Sequence, residues 1–183
     1  MAQALPSAGD VLAYWRALGP ARWYVKDPAV DAEIREKFGG LHRAAANGML
    51  RGWEDDATGA LAGIIVLDQF PRNMFRGSPA AFATDPLARA AAERAIERGF
   101  DRRFSDPERR LFYLPYMHSE VLADQERCRD LCRGAQDDKG AEFAELHADI
   151  IRRFGRFPHR NAVLGRVTTP EERAFLDNGG FAG

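Results

Sequence analysis

The chain has only two cysteines, Cys128 and Cys132. They fall one turn apart on a stretch that reads as helix, which argues against a structural disulfide and for a cytoplasmic setting. Long apolar runs are missing as well. The longest, Ala60 to Leu67, contains a glycine and is far too short to cross a bilayer, so no membrane partner is expected. Charge of one sign is not in excess: 26 Lys+Arg stand against 27 Asp+Glu, a formal net charge of -1, which lowers general nucleic-acid binding and leaves no nucleic-acid partner expected. The opening Met1-Ala2-Gln3-Ala4-Leu5-Pro6 has neither the basic region nor the apolar core of a secretory leader. No phosphate-binding glycine loop, dinucleotide glycine pattern, fixed-period repeat or low-complexity tract is visible.

What is present is a hydrophobic fraction of 45% in 183 residues, enough for one domain, 1–183, with its own core. Glycine and proline punctuate a series of helical patterns. Ser7 caps a first helix to about Leu18, with Val11, Leu12, Trp15 and Leu18 on one side, and Gly19-Pro20 ends it. Asp27-Pro28 starts a second, whose Val30, Ile34, Phe38, Leu41 and Ala45 recur at helical spacing; Gly39-Gly40 inside it marks a kink or a close contact. Thr58 caps a third, apolar nearly all round and therefore central, which runs into Asp68 and is broken or kinked at Pro71. Asp85-Pro86 opens an alanine-rich helix closed by Gly99. Asp106-Pro107 opens another, with Leu111, Pro115, His118 and Leu122 in line and a bend at Pro115. A helix to about Cys132 and a polar loop from Gly134 to Gly140 follow. The next helix, about Ala141 to Phe154, has Phe143, Leu146, His147, Ile150, Ile151 and Phe154 on its apolar side. Gly155 ends it, Pro158 opens a short turn, and Thr169-Pro170-Glu171-Glu172 starts the last helix, with Phe175 and Leu176 inward. The pattern predicts an all-α domain of about seven to nine helices with no strand.

Certain residues break these local rules, and such places are often functional or strained. Arg152–Asn161 packs four arginines, a histidine, two phenylalanines, a glycine and a proline together. Asp68, at the expected C-terminal end of the central helix, faces the negative end of the helix dipole and requires a cation. Arg72 and the late arginines are both candidates. His118 and His147 sit on apolar lines, near Glu120 and Asp124 in one case and Glu145 in the other. Each reads either as a satisfied core histidine or as an acid–base group. The spacings His118-x-Glu120 and Glu145-x-His147 are not those of helical metal motifs, so no metal and no cofactor is expected. Pro158-His159-Arg160-Asn161 places cations at a helix start, which calls for an anion: either the protein's own Asp68, Glu120 and Asp124, or a bound phosphate or carboxylate.

Leu67-Asp68-Gln69-Phe70-Pro71-Arg72-Asn73, Tyr113-Leu114-Pro115-Tyr116-Met117-His118-Ser119-Glu120, Asp124-Gln125 and Arg153-Phe154-Gly155-Arg156-Phe157-Pro158-His159-Arg160-Asn161 occur in this order. Tyr14-Trp15, Trp53, Leu164-Gly165-Arg166 and Thr169-Pro170-Glu171-Glu172 flank them. Together they resemble a bacterial family known as domain of unknown function 924, over nearly the whole chain. The resemblance implies an all-helical fold of the tetratricopeptide-like superfamily and brings no activity, substrate or cofactor. The residues themselves lead to two readings. In the first, Asp68, Gln69, Arg72, Asn73, Glu120, Asp124, His147, Arg156, Arg160 and Asn161 form a sheltered site for a small anion, with His118 or His159 as acid or base. In the second, the chain is a protein- or peptide-interaction module of the tetratricopeptide-like kind, and the same residues are scaffolding.

Overall fold

The helix starts are set by local chemistry. The protein, described from a computed structural model over residues 4–181, begins its first helix, α1 (Ala8–Leu18), at Ser7. The Ser7 hydroxyl accepts from the Asp10 N–H, and the Asp10 carboxylate accepts from the Ser7 N–H, so two end donors are satisfied reciprocally. Asp27 caps α2 (Pro28–Ala46) by accepting from the N–H groups of Ala29 and Val30, with Pro28 inside the first turn. α3 (Ala57–Ile64) is capped by Asp56, not Thr58: the Asp56 carboxylate accepts from the N–H groups of Thr58 and Gly59. Met1–Gln3, part of the stretch read for a leader, lie outside the described residues.

The chain divides into two compact units, residues 1–76 with 80–115, and residues 77–79 with 116–183. In the first unit α3 lies against α1 and α5 (Asp85–Glu97), and α2 lies against α4 (Phe70–Met74). Phe70 is fully buried; its ring stacks on Phe38 at 4.7 Å and meets Trp15 edge-on at 5.9 Å. Such aromatic pairs add about 0.5–1.5 kcal/mol beyond their buried area. The Gly39-Gly40 pair leaves α2 unbroken; a Cβ on Gly40 would come within 3.4 Å of the Leu5 side chain, so the pair is a place of close contact.

The central helix is not ended by Pro71. Between α3 and α4 the chain widens into one π turn, Ile65–Gln69, in which the Phe70 N–H reaches the Ile65 carbonyl. A turn with an extra residue lets the helix carry a proline without a clash. Asp68 therefore lies within a continuous helical run, and the dipole argument for its cation does not apply.

Two further expectations are corrected. The segment after Asp106-Pro107 is not a helix. It forms a short 3₁₀ turn at Arg109–Phe112, a single turn α6 (Leu114–Met117), and a break before α7 (Leu122–Gly134), so Leu122 lies 37% exposed. In the second unit the polar loop is only residues 135–137. Gln136 takes a positive φ of 60°, and Asp137 caps α8 (Asp138–Phe154) by accepting from the Gly140 N–H. α7 and α8 pack as a hairpin. Its seam is made by Gly140, Ala144, His147, Ala148 and Ile151 with Gln125, Cys128 and Cys132, all buried, whereas Phe143 and Leu146 are 46% and 47% exposed. Neither thiol is in a disulfide. Gly155 ends α8 in the left-handed conformation, a three-residue 3₁₀ turn follows at Pro158–Arg160, and Thr169 and Glu172 form a capping box on α9 (Pro170–Asp177). Every described residue that is in regular structure is helical, as the sequence pattern predicts.

Gly59 and Gly63, one turn apart on α3, make a controlled comparison. A Cβ on Gly59 would stand 2.2 Å from the Trp53 carbonyl oxygen, while one on Gly63 would meet nothing within 4 Å. Gly59→Ala should destabilise the protein by about 1–3 kcal/mol or more, and Gly63→Ala should stabilise it by about 0.5–1 kcal/mol. Urea unfolding of both variants checks this; equal effects would contradict the close approach of Trp53.

Candidate functional site

In the first unit the polar residues gather around the widened turn. Pro71 has no N–H to give to the Leu67 carbonyl, and the hydroxyl of buried Thr84 donates to it instead at 2.6 Å. With its proton so used, Thr84 Oγ1 accepts from His42 Nε2 at 3.4 Å, which places the imidazole proton on Nε2. Burial, and next Arg43, pull the His42 pKa down. The Asp68 carbonyl accepts from Arg72 Nη1 at 2.6 Å. The same guanidinium lies 3.2 Å from the Asp68 carboxylate and grips Asp85 with two bonds of 2.9 and 3.0 Å. Gln69 Nε2 donates to Asp68 Oδ2 at 2.5 Å. Asn73 points elsewhere: its amide donates to Asp31 at 2.9 Å, and Arg76 holds the same carboxylate bidentately. Burial alone would raise the Asp31 pKa; Arg76 and Asn73 outweigh it and hold it low.

In the second unit two carboxylates organise the turn after α8. Buried Glu172 accepts from Arg156 Nε and Nη2 at 2.6 and 2.9 Å, from the Asn161 amide at 3.0 Å and from the Thr169 N–H at 2.8 Å. Arg156, ahead of the other partners, pushes its pKa down to about 2. Arg156 also donates to the Val167 carbonyl. Glu120 accepts two bonds from Arg166, 2.7 and 3.0 Å, and one of 2.8 Å from the Phe157 N–H. The N–H that precedes Pro158 is thus met by the protein's own carboxylate. Arg160 is buried with its guanidinium 4.6 Å from the centre of the Phe157 ring. Asp124 accepts from the Ser119 hydroxyl at 2.6 Å. Gln125 donates to the carbonyls of Met117 and Ser119, which the break before α7 leaves free.

The histidines share this unit. His147 Nδ1 donates to the Phe143 carbonyl at 2.7 Å, so its Nε2 carries the lone pair. Burial above all pushes its pKa to about 4, against the pull of that carbonyl and with His118 and Arg160 adding to the fall. His159 is likewise pushed to about 4, by burial and then by Arg160 and His147. Its ring faces Phe157 at 5.6 Å and Phe181 at 5.3 Å, and its buried Nδ1 has no hydrogen-bond partner among the described residues. At pH 7 both imidazoles are neutral. His118 is half-buried just beyond α6. No group of three or more His, Cys, Asp or Glu suited to a metal occurs among the described residues.

The structure thus brings Asp68, Gln69 and Arg72 together in the first unit and leaves Asn73 with Asp31. In the second it joins Arg156 to Asn161, while Glu120, Asp124, His147, His159 and Arg160 have the partners just described. The partners missed from sequence are Thr84, Asp85, Arg166 and Glu172. Asp85 and Glu172 had been read only as helix-start acids, and each also serves as the counter-ion of an arginine distant in sequence.

These features define an all-α protein with its polar motif residues tied to the backbone and to one another. Residues 11–180 match the family described as "Bacterial protein of unknown function (DUF924)", and the chain belongs to that family. It is also similar to a solved structure from Agrobacterium tumefaciens, the protein of unknown function ATU0120, at 47% identity and a TM-score of 0.91, over 94% of this chain and 97% of that one. No curated protein matches the chain.

Thr84→Val keeps the shape of the side chain and removes the bond to the Leu67 carbonyl. It should cost about 1–3 kcal/mol, read from chemical denaturation. Glu172 lies below its ordinary value of 4.5, so its contribution to stability is complete above about pH 4.5 and is lost as the pH falls toward about 2. Glu172→Gln should lower stability at pH 7 and flatten its decline over that window. An unchanged acid limb in the variant would show that another group drives it.

Proposed function

We propose that the second unit binds a small anionic ligand beside His159, His147 and Arg160, with His159, and His118 next to it in rank, as the acid–base group. The single observation that carries this reading is the buried His159 Nδ1, which has no hydrogen-bond partner among the described residues. A buried polar atom without a partner costs about 1–3 kcal/mol and is a natural place for a ligand atom. In this reading Glu120, Asp124, Arg156 and Asn161 hold the turn in place, and Asp68, Gln69, Arg72 and Asn73 are framework of the first unit. A neutral imidazole with a pKa of about 4 beside a guanidinium gains a proton when an anion arrives. It then donates a charge-assisted hydrogen bond to the bound oxygen or passes the proton to it.

A second reading, a protein-contact module of the tetratricopeptide-like kind, draws on Phe143 and Leu146, half-exposed on α8, with Val121 55% exposed at the start of α7.

The first reading predicts saturable binding of inorganic phosphate or of a small carboxylate such as succinate, read by amide and imidazole shifts in NMR. Affinity should rise as the pH falls from 7 toward 5, because binding takes up a proton. His159→Gln should abolish binding while shifting stability by less than about 1 kcal/mol. If none of these anions saturates the protein below about 10 mM, or if His159→Gln unfolds it, the histidines are structural.

A further inference from the structure

The first unit contains a cleft that none of the residues above use. It opens between α3 and α5, beside the 3₁₀ turn Arg51–Asp55, with a volume of about 190 Å³. Leu50, Trp53, Leu67 and Leu87 supply its apolar walls, and Gly59 and Gly63 of α3 its floor. A cavity of about 150 Å³ holds a benzene molecule, so this one has room for an apolar body of roughly six to eight carbons.

Two independent observations give the occupant its chemistry. The first is the floor. Glycine in a helix interior is unfavourable relative to alanine, and close packing explains Gly59 but not Gly63, over which an added Cβ meets nothing within 4 Å. The missing side chain at 63 leaves space open without relieving any contact. The second is the lip. Of the arginines that line the cleft, Arg94 is neutralised by Glu54 through bonds of 2.6 and 2.7 Å. Arg51 is exposed and has no hydrogen-bond or ion-pair partner among the described residues, and neither does the Trp53 indole N–H. A cleft lined mainly by apolar side chains, and also by a guanidinium and an indole donor without partners among the described residues, is complementary to a molecule with an apolar tail and an anionic head.

We infer that this cleft binds a small carboxylic acid with an unbranched apolar tail, its carboxylate at Arg51 and Trp53 and its tail over Gly63. The site is distinct from the proposed anion site of the second unit, and neither inference needs the other.

The test is a titration of the intact protein with butanoate, hexanoate and octanoate, followed by tryptophan fluorescence. Trp15 and Trp23 are buried against each other, so the change should come from Trp53 and vanish in Trp53→Phe. Affinity should increase about fourfold per methylene until the cleft is full. Octan-1-ol should bind more weakly than octanoate, and Arg51→Gln should remove that preference. Gly63→Leu should block octanoate while leaving the melting temperature unchanged or raised. Should Gly63→Leu fail to fold, Arg51→Glu, a change at an exposed position, must weaken octanoate at least threefold. Binding that stays the same in Arg51→Glu, a flat response along the chain-length series, or octanol equal to octanoate would overturn the inference.

Discussion

A buried main-chain carbonyl must be given a hydrogen bond, and much of the polar chemistry of this protein answers that demand. Proline and irregular turns withdraw N–H donors at several places in the chain, and a nearby side chain takes over at each. Thr84 replaces the donor that Pro71 lacks. Arg72 serves the Asp68 carbonyl, Arg35 the Met74 carbonyl at the end of α4, and Gln125 the carbonyls left by the break before α7. Arg166 serves the carbonyl of buried Phe157. The net gain of one such bond is about 1 kcal/mol, but leaving the carbonyl unbonded costs more. The irregular backbone and the unusual side chains are therefore one feature. Removing the amides and hydroxyls would turn each proline from a tolerated interruption into a break.

The same economy explains the abundance of arginine over lysine in the motifs. A guanidinium can grip a carboxylate with two nitrogens and still reach a carbonyl with another bond. Arg72, Arg156 and Arg166 each do both. Lysine could hold the charge but could not reproduce the fork. Glu172 is used twice over as well, closing the capping box of α9 and receiving Arg156 and Asn161. One carboxylate thereby ties the start of the last helix to the turn that follows α8.

Local chemistry was legible in the sequence, and long-range pairing was not. Ser7, Asp27-Pro28, Thr169-Pro170 and the left-handed Gly155 act through neighbours within four residues, so their roles can be read from type and spacing. The all-α class follows from the sum of such signals. The ion pairs Arg156–Glu172 and Arg166–Glu120 span 16 and 46 positions, and nothing in either local pattern names the partner. On α8 hydrophobic periodicity held for His147, Ile150 and Ile151, which are buried, and failed for Phe143 and Leu146, for a definite reason. Its buried seam is built from Gly140, Ala144 and Ala148, whose small side chains carry little hydrophobic signal but allow α7 to come close. Phe143 and Leu146 carry the stronger signal and face outward. The helix expected after Asp106 failed because an acid–proline pair is a start signal only when several turns of good helix formers follow. Here the chain forms only a 3₁₀ turn at Arg109–Phe112 and the single turn α6, with Pro115 in its first turn, and the bonds of Ser119 stand at the break before α7.

The histidines stand apart from this division of labour. Arginine, glutamate and glutamine in the motifs are occupied with backbone or with one another, which leaves them little freedom to meet a ligand without loosening the fold. His147 spends one nitrogen on the Phe143 carbonyl and keeps the lone pair of the other, and His159 has a buried nitrogen without a partner among the described residues. Both are neutral because they are desolvated beside the cation of Arg160, not because hydrogen bonds fix them so. A group held neutral by its surroundings changes state when those surroundings change. In the anion reading proposed above, an arriving negative charge would offset the guanidinium and draw a proton onto the ring, whereas a neutral molecule of the same shape would do neither. Selectivity for charge would then arise from the field around two uncharged rings, with Arg156 and Arg166 left at their structural posts.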